Sequence, residues 1–301
     1  MEQVKLIGII LLGFVVASSL SFVTAEKVDH IRKFTFAFLA PILFLGSIYK
    51  ANLDNIPSLG LVAAYLGALC LMFLFVKYLC RNDENHNQGN IKALSALYPN
   101  ALGVGTAIIF PLYGSQAELI LMGIIFINIT LILPAFNVLM IGLGNSSNFS
   151  YKKIITDPII LAIVAGIIIN KTGLIIPAPI FLSIEIIGAI AVPSFLAVLG
   201  ATLSFYSFND LRKENINLLL LVKLILFPLT TFALGKYCFG LSPLEIKVTV
   251  IIASLPTGLN VFILSERYQS AQKTTASVIV LSTVLSLVTI QGWDSIIEFL
   301  N

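Results

Sequence analysis

Charge is scarce in this chain. Of its 301 residues only 11% are Asp, Glu, Lys or Arg, against about a quarter in soluble globular domains. That shortage excludes an ordinary water-soluble fold, and a hydrophobic content of 58% points to an all-α polytopic membrane protein. The two histidines, His30 and His86, are expected in polar loops. The three cysteines, Cys70, Cys80 and Cys238, have no metal-ligand spacing and lie in or beside apolar runs. There is no His/Glu zinc motif, no G-x-S-x-G and no P-loop, so no metal, no cofactor and no enzymatic activity are expected. A membrane-embedded enzyme would need a catalytic dyad inside the spans and is the distant alternative. The net charge is only +3 and the basic residues sit in short loops, which argues against a nucleic acid partner.

What the chain does have is long apolar runs. A membrane-crossing helix needs about 20 mostly apolar residues. Ten stretches read as spans: 4–23, 34–50, 58–78, 92–112, 117–141, 157–175, 179–205, 216–238, 244–265 and 273–291. The connections are short. The longest polar ones are 81–90 and 144–157, and neither holds a soluble domain. Lys5, the apolar stretch after it and Val23-Thr24-Ala25 resemble a signal peptide in outline. The run exceeds the roughly 7–15 residues of a signal core, so the first span is read as retained.

Lysine and arginine orient the spans. With both termini outside, twelve of the 18 Lys and Arg fall on the inner side, among them Arg32, Lys33, Arg81, Lys152, Lys153, Arg212 and Lys213. Five fall outside (Lys5, Lys50, Lys171, Lys236 and Lys247), and Lys223 lies within the eighth span. Five spans precede Lys152-Lys153 and five follow, which divides the chain into residues 1–150 and 151–301. Because five is odd, the second half is inverted relative to the first.

Spans four and nine are chemically odd. The fourth carries Pro99, Asn100, Gly103 and Gly105, and the ninth carries Pro256, Thr257, Gly258 and Asn260. Proline removes a backbone donor and clashes with the preceding turn, and glycine adds freedom, so each helix is expected to break inside its span. A lipid-facing helix does not break there, because freed backbone groups find no water. The halves begin at residues 4 and 157, an offset of 153, and the same offset carries Gly103 to Pro256 and Gly105 to Gly258. Paired interruptions at equivalent places point to the substrate site of a transporter.

At these residues the chain resembles the auxin efflux carrier family of membrane transport proteins, which includes plant PIN proteins and bacterial permeases. Ser254-Leu-Pro-Thr-Gly-Leu-Asn-Val-Phe-Ile-Leu-Ser-Glu-Arg-Tyr268 is similar to the bacterial ninth-span pattern xxPTaxNxxxlaexY. Asp157-Pro-Ile-Ile-Leu-Ala-Ile-Val-Ala-Gly166 is similar to the family's sixth-span opening, Leu199-Gly-Ala-Thr-Leu203 to its lGasL element, and Lys223 with Pro228 to its K-x-x-x-x-P eighth span. The likeness covers essentially the whole chain. The fourth span departs from the family's N-x-G-x-x-G-x-P, which a later glycine closes: Asn100, Gly105 and the closing Gly114 fall in place, but the first glycine is shifted to Gly103. Ala107 holds the proline position, and Pro111 comes one turn later. The resemblance implies two inverted five-helix repeats with broken helices four and nine crossing at mid-membrane. It also implies a secondary transporter, a permease of the bacterial inner membrane, that moves a small organic anion by alternating access.

Asn100 and Asn260 are the first candidates to bind such an anion. They are amides beside exposed backbone groups and half-helix N-termini, whose dipoles favour negative charge. Backbone near Gly103, Gly105, Pro256 and Gly258 would complete the site. The competing assignment for the asparagines is interhelical hydrogen bonding. Thr257 and Thr106 are weaker candidates, since hydroxyls often bond their own helix. Lys223 either attracts the anion or serves coupling, or else snorkels to the inner face about 9 Å away. Glu185 reads as interfacial, and Trp293 and Tyr268 as interface anchors. The spans hold few acids, which favours a proton, or no coupling ion, over sodium. A bile-acid/sodium-symporter-like or arsenite-permease-like carrier is the alternative. Expected partners are the organic anion and the lipid bilayer, with a homodimer as a candidate assembly.

Overall fold

A computed structural model describes residues 2–51, 53, 58–81, 86–141, 155–205 and 215–300. Ser147, Lys152, Lys153, Arg212 and Lys213, expected in inner loops, lie outside the described residues. Those described are overwhelmingly helical and contain no strand. The helices are α1 Glu2–Ser19, α2 Ala25–Lys50, α3 Leu59–Leu79, α4 His86–Leu97, α5 Thr106–Ile127, α6 Leu133–Ile141, α7 Pro158–Thr172, α8 Ala178–Leu203, α9 Ile216–Cys238, α10 Pro243–Ser254, α11 Leu259–Arg267 and α12 Gln272–Leu300. Wider π turns occur at Ala101–Gly105 before α5, at Asn128–Ile132 between α5 and α6, and at Val222–Leu226 within α9.

Local chemistry sets the helix starts. The Ser58 side chain accepts from Leu61 N–H to begin α3. Asp157 accepts from the N–H groups of Ile159 and Ile160 ahead of Pro158, and Gly173 ends α7 at φ 68°. Ser242 and Glu245 form a reciprocal capping box over α10, with Pro243 in its first turn. Each arrangement satisfies donors or acceptors that a helix end leaves open, and proline loses nothing in the first turn. Gly114 takes φ 77°, ψ 178° inside α5, a conformation only glycine adopts readily. It breaks the helix where the fourth and fifth apolar segments were expected to separate.

Among the described residues six helical stretches are long and apolar enough to cross a membrane: Ala25–Lys50, Leu59–Leu79, Ala101–Met140, Ala178–Thr202, Ile216–Cys238 and Gln272–Leu300. Gly8–Ser19 and Pro158–Thr172 are shorter apolar helices. The expected ninth span falls below that length because it is interrupted after Ser254, and the expected fourth is interrupted after Leu97, its second part running on with the fifth in Ala101–Met140. Large apolar side chains face outward on these helices. Leu74 is 64% exposed and Val288 74%, which suits lipid and not water.

The helices form two compact units. The first comprises Met1–Ile56, Leu102–Phe126 and Ser150–Tyr206, and the second Pro57–Ala101, Ile127–Phe149 and Ser207–Asn301. Each therefore draws helices from both sequence halves. In the first unit α1 lies against α8 so closely that a Cβ at Gly13 would strike the Ala197 backbone, and one at Gly200 the Ile10 backbone. Small residues allow that approach. Asn170 of α7 points its Nδ2 at the terminal carbonyls of α2, 3.0 Å from Ile48 O and 2.9 Å from Tyr49 O. Glu185 is half-exposed and pairs with Lys50.

In the second unit α10 is buried all round from residue 248 to its end, with Val248, Val250, Ile251 and Ala253 at 0% exposure. Here one expectation is corrected. Trp293 is not an interface anchor: it is 6% exposed, and its Nε1–H donates to Leu224 O at 2.8 Å. Pro228 explains the contact. Having no N–H, it cannot serve the carbonyl four residues back, which is that of Leu224, and the indole of α12 supplies the missing donor.

Candidate functional site

The interruptions of α4 and α10 both lie in the second unit. A residue before proline is pushed out of the helical region. Leu255, ahead of Pro256, accordingly takes φ −58°, ψ 152° and ends α10. Tyr98, ahead of Pro99, likewise stands just past the end of α4 at Leu97. The two extended segments then pair. Pro99 and Thr257 form an antiparallel bridge, in which Asn100 N–H donates to Pro256 O at 2.7 Å and Gly258 N–H to Tyr98 O at 3.0 Å. The freed backbone of each break thus serves the other, as burial away from water demands.

The helix ends are satisfied nearly residue by residue. On α4, Tyr98 N–H bonds Leu94 O at 2.8 Å, the Thr257 hydroxyl donates to Ser95 O at 2.6 Å, and Lys223 Nζ reaches Leu97 O at 3.4 Å. On α10, Ser254 Oγ donates to Ile251 O at 2.8 Å, Leu255 N–H to Ile252 O at 3.2 Å, and Lys223 Nζ to Ala253 O at 3.1 Å. Thr257 N–H finds the Ser282 hydroxyl of α12 at 3.1 Å, and Ser95 Oγ lies 3.1 Å from Thr275 Oγ1. The result is a seam of hydroxyls and carbonyls behind the bridge.

Lys223 does not snorkel. It is 0% exposed, sits in the π turn of α9, and joins the C-terminal ends of two helices that approach it from different parts of the chain. Each such end carries roughly half a negative charge. Among the described residues Lys223 has no carboxylate partner; the Phe227 ring lies 5.3 Å from its Nζ.

Of the residues expected to line a site, Asn100, Pro256, Thr257 and Gly258 come together here. Thr257 is 1% exposed and fully engaged in joining α4 to the second break. Gly258 is needed for close approach: a Cβ there would lie 2.9 Å from Tyr98 Cδ1 and 3.2 Å from Pro99 O. Asn100 is half-buried, and Asn260 is exposed on the first turn of α11. Gly103 and Gly105 are buried in the π turn that follows, and Thr106 is buried at the start of α5; these three belong to the first unit. Sequence reasoning missed Ser95, Thr275 and Ser282, since hydroxyl residues are too common in apolar spans to signal a partner. It also missed the buried Tyr65–Asn128 hydrogen bond of 3.1 Å. No group of three or more His, Cys, Asp or Glu side chains among the described residues is arranged to hold a metal ion.

The sequence model of the Membrane transport protein family matches residues 1–144 and 143–294. A protein of Rhizobium meliloti (strain 1021) named "Putative malonate transporter" is 22% identical over 291 residues, covering 91% of this chain and 90% of that protein. A protein of Methanothermobacter thermautotrophicus named "Uncharacterized transporter" is 24% identical over 297 residues, covering 96% and 95% respectively. Together with the paired helix breaks, the match over nearly the full length makes this chain a member of the Membrane transport protein family, that of the auxin efflux carriers.

Proposed function

We propose that this transporter carries small mono- or dicarboxylates by alternating access across a bacterial inner membrane, with both termini outside. On this reading residues 1–150 and 151–301 are inverted five-helix repeats, ten spans in all, whose fourth and ninth helices are broken and cross. Helices occupy each of the ten apolar segments, in keeping with that count. The unit membership supports the repeat. The first and second spans group with the sixth and seventh, and the third groups with the eighth, so three of the five equivalent pairs stay together; the fourth and fifth spans are divided between the units, and the ninth and tenth lie in the second.

The observation that carries the proposal is the backbone bridge between Pro99 and Thr257. It ties the interruption of one half to that of the other, and it sets Asn100 and Asn260 where the next helical turns begin. Amide N–H groups beside open helix N-termini suit a carboxylate. The malonate named for the Rhizobium relative makes a short dicarboxylate the first substrate to try. The sequence has no ATP-binding motif, so on this reading an ion gradient or the substrate's own gradient drives transport unless a partner supplies energy, with a proton as the coupling ion if there is one.

Thermal unfolding of the purified protein against acetate, lactate, malonate, succinate and neutral malonamide tests the substrate class. At least one acid should raise Tm, and malonamide should not. Stabilisation by none of the acids, or equally by the diamide, would refute it.

A further inference from the structure

Transporters with broken helices commonly hold their coupling cation on unwound carbonyls and half-helix C-terminal ends. In this chain the carbonyls at that place are already engaged. Leu97 O ends one interrupted helix and Ala253 O ends the other. The amine nitrogen of Lys223 lies 3.4 Å from the first and 3.1 Å from the second, fully buried, with no carboxylate partner among the described residues. Two helix C-termini at roughly half a negative charge each match one ammonium. A phenyl face 5.3 Å away adds further favourable field for a cation. The surroundings are hydroxyls and carbonyls: Ser95 O accepts from Thr257, and Ser254 Oγ folds back onto Ile251 O. Such oxygens suit a hard monovalent ion as well as an ammonium.

We infer that the Lys223 ammonium is a built-in cation, covalently tethered where an exchangeable sodium ion would otherwise bind, and that it makes this protein independent of sodium. This rests on the transport reading above but concerns the cation place, not the substrate place. Removing the ammonium while keeping the carbonyls should uncover a site for a small free cation. The carbonyls are held by the Pro99–Thr257 bridge and by the turn at Ser254, neither of which needs Lys223.

The test uses full-length protein in detergent without substrate, so its outcome does not depend on which anion is carried. Tm is measured in sodium, lithium, potassium and choline chloride at equal ionic strength for the wild type, Lys223→Met, Lys223→Ala and Lys223→Arg. The wild type and Lys223→Arg should show the same Tm in all four salts. The two neutral variants should unfold at lower temperature in choline and regain several degrees in sodium or lithium, as a ligand that binds only the folded state requires. A wild type stabilised by sodium over choline would overturn the inference, and so would neutral variants with the same Tm in every salt. If neither neutral variant can be recovered folded, Lys223→Arg decides: a folded, salt-indifferent arginine variant supports a tethered cation, and an equally unrecoverable one contradicts it.

Discussion

Gly258 is the position where the smallest chemical change should do the most damage. Alanine adds one methyl group. That methyl would lie 2.9 Å from Tyr98 Cδ1, 3.1 Å from Tyr98 Cε1 and 3.2 Å from Pro99 O. The tyrosine cannot simply swing away, because its own carbonyl accepts from Gly258 N–H at 3.0 Å and it is 4% exposed. Relief therefore has to come from parting the two extended segments, which lengthens that bond and the partner bond from Asn100 to Pro256. Overpacking alone costs about 1–3 kcal/mol, and a buried backbone pair left unsatisfied adds about 1–3 kcal/mol. The sum, roughly 2–6 kcal/mol, corresponds to a fall in Tm on the order of 4–24 °C at about 2–4 °C per kcal/mol. Gly292→Ala is the control. It lies in the interior of α12 with no atom near its would-be Cβ, so alanine there should be neutral or stabilising by a few tenths to about 1 kcal/mol. Thermal unfolding of the two variants side by side reads the difference, and equal Tm values would refute the close approach at the bridge.

Two further outcomes follow from the same geometry and from the charge pattern. Trp293→Phe keeps the aromatic volume but leaves Leu224 O without the donor that Pro228 denies it, and should lower stability by about 1–3 kcal/mol in denaturant titration; no change would mean that the carbonyl is served otherwise. Single cysteines introduced at Gln116 and Asn301 should react with an impermeant thiol reagent from outside intact cells, and those at Ser147 and Gln269 should not; reversed labelling would sink the orientation together with the ten-span count.

The parts of the fold that were readable in the sequence are those written in local backbone chemistry. Pro99, Pro256 and Gly258 declare a break wherever they stand, because a missing N–H and a missing Cβ act on their own turn. The separation of the fourth and fifth apolar segments was likewise legible in Gly114. Lys223 was legible as an anomaly but not in its contacts. Its acceptors are main-chain carbonyls of Leu97 and Ala253, 126 and 30 residues away, and a carbonyl carries no residue identity for a pattern to find. Trp293 was misread for a related reason. Tryptophan near the end of an apolar span usually marks the interface, and only the packing of α12 on α9 reveals that Pro228 had left an acceptor waiting for it. Thr257 was ranked low because hydroxyls tend to bond their own helix. Instead it bonds Ser95 O across a separation of 162 residues, which no spacing rule anticipates.

The central claim, an anion site at the paired breaks, is tested most directly by substrate affinity in Asn100→Ala and Asn260→Ala. Isothermal titration with whichever carboxylate stabilises the wild type gives Kd for each variant, with Ser147→Ala as the reference substitution. Loss of one amide hydrogen bond to a charged group removes about 1.5–3 kcal/mol, or roughly ten- to hundredfold in affinity. The account predicts that loss for both asparagine variants, at unchanged folded yield and with Ser147→Ala indistinguishable from wild type. Wild-type affinity in both asparagine variants would contradict it.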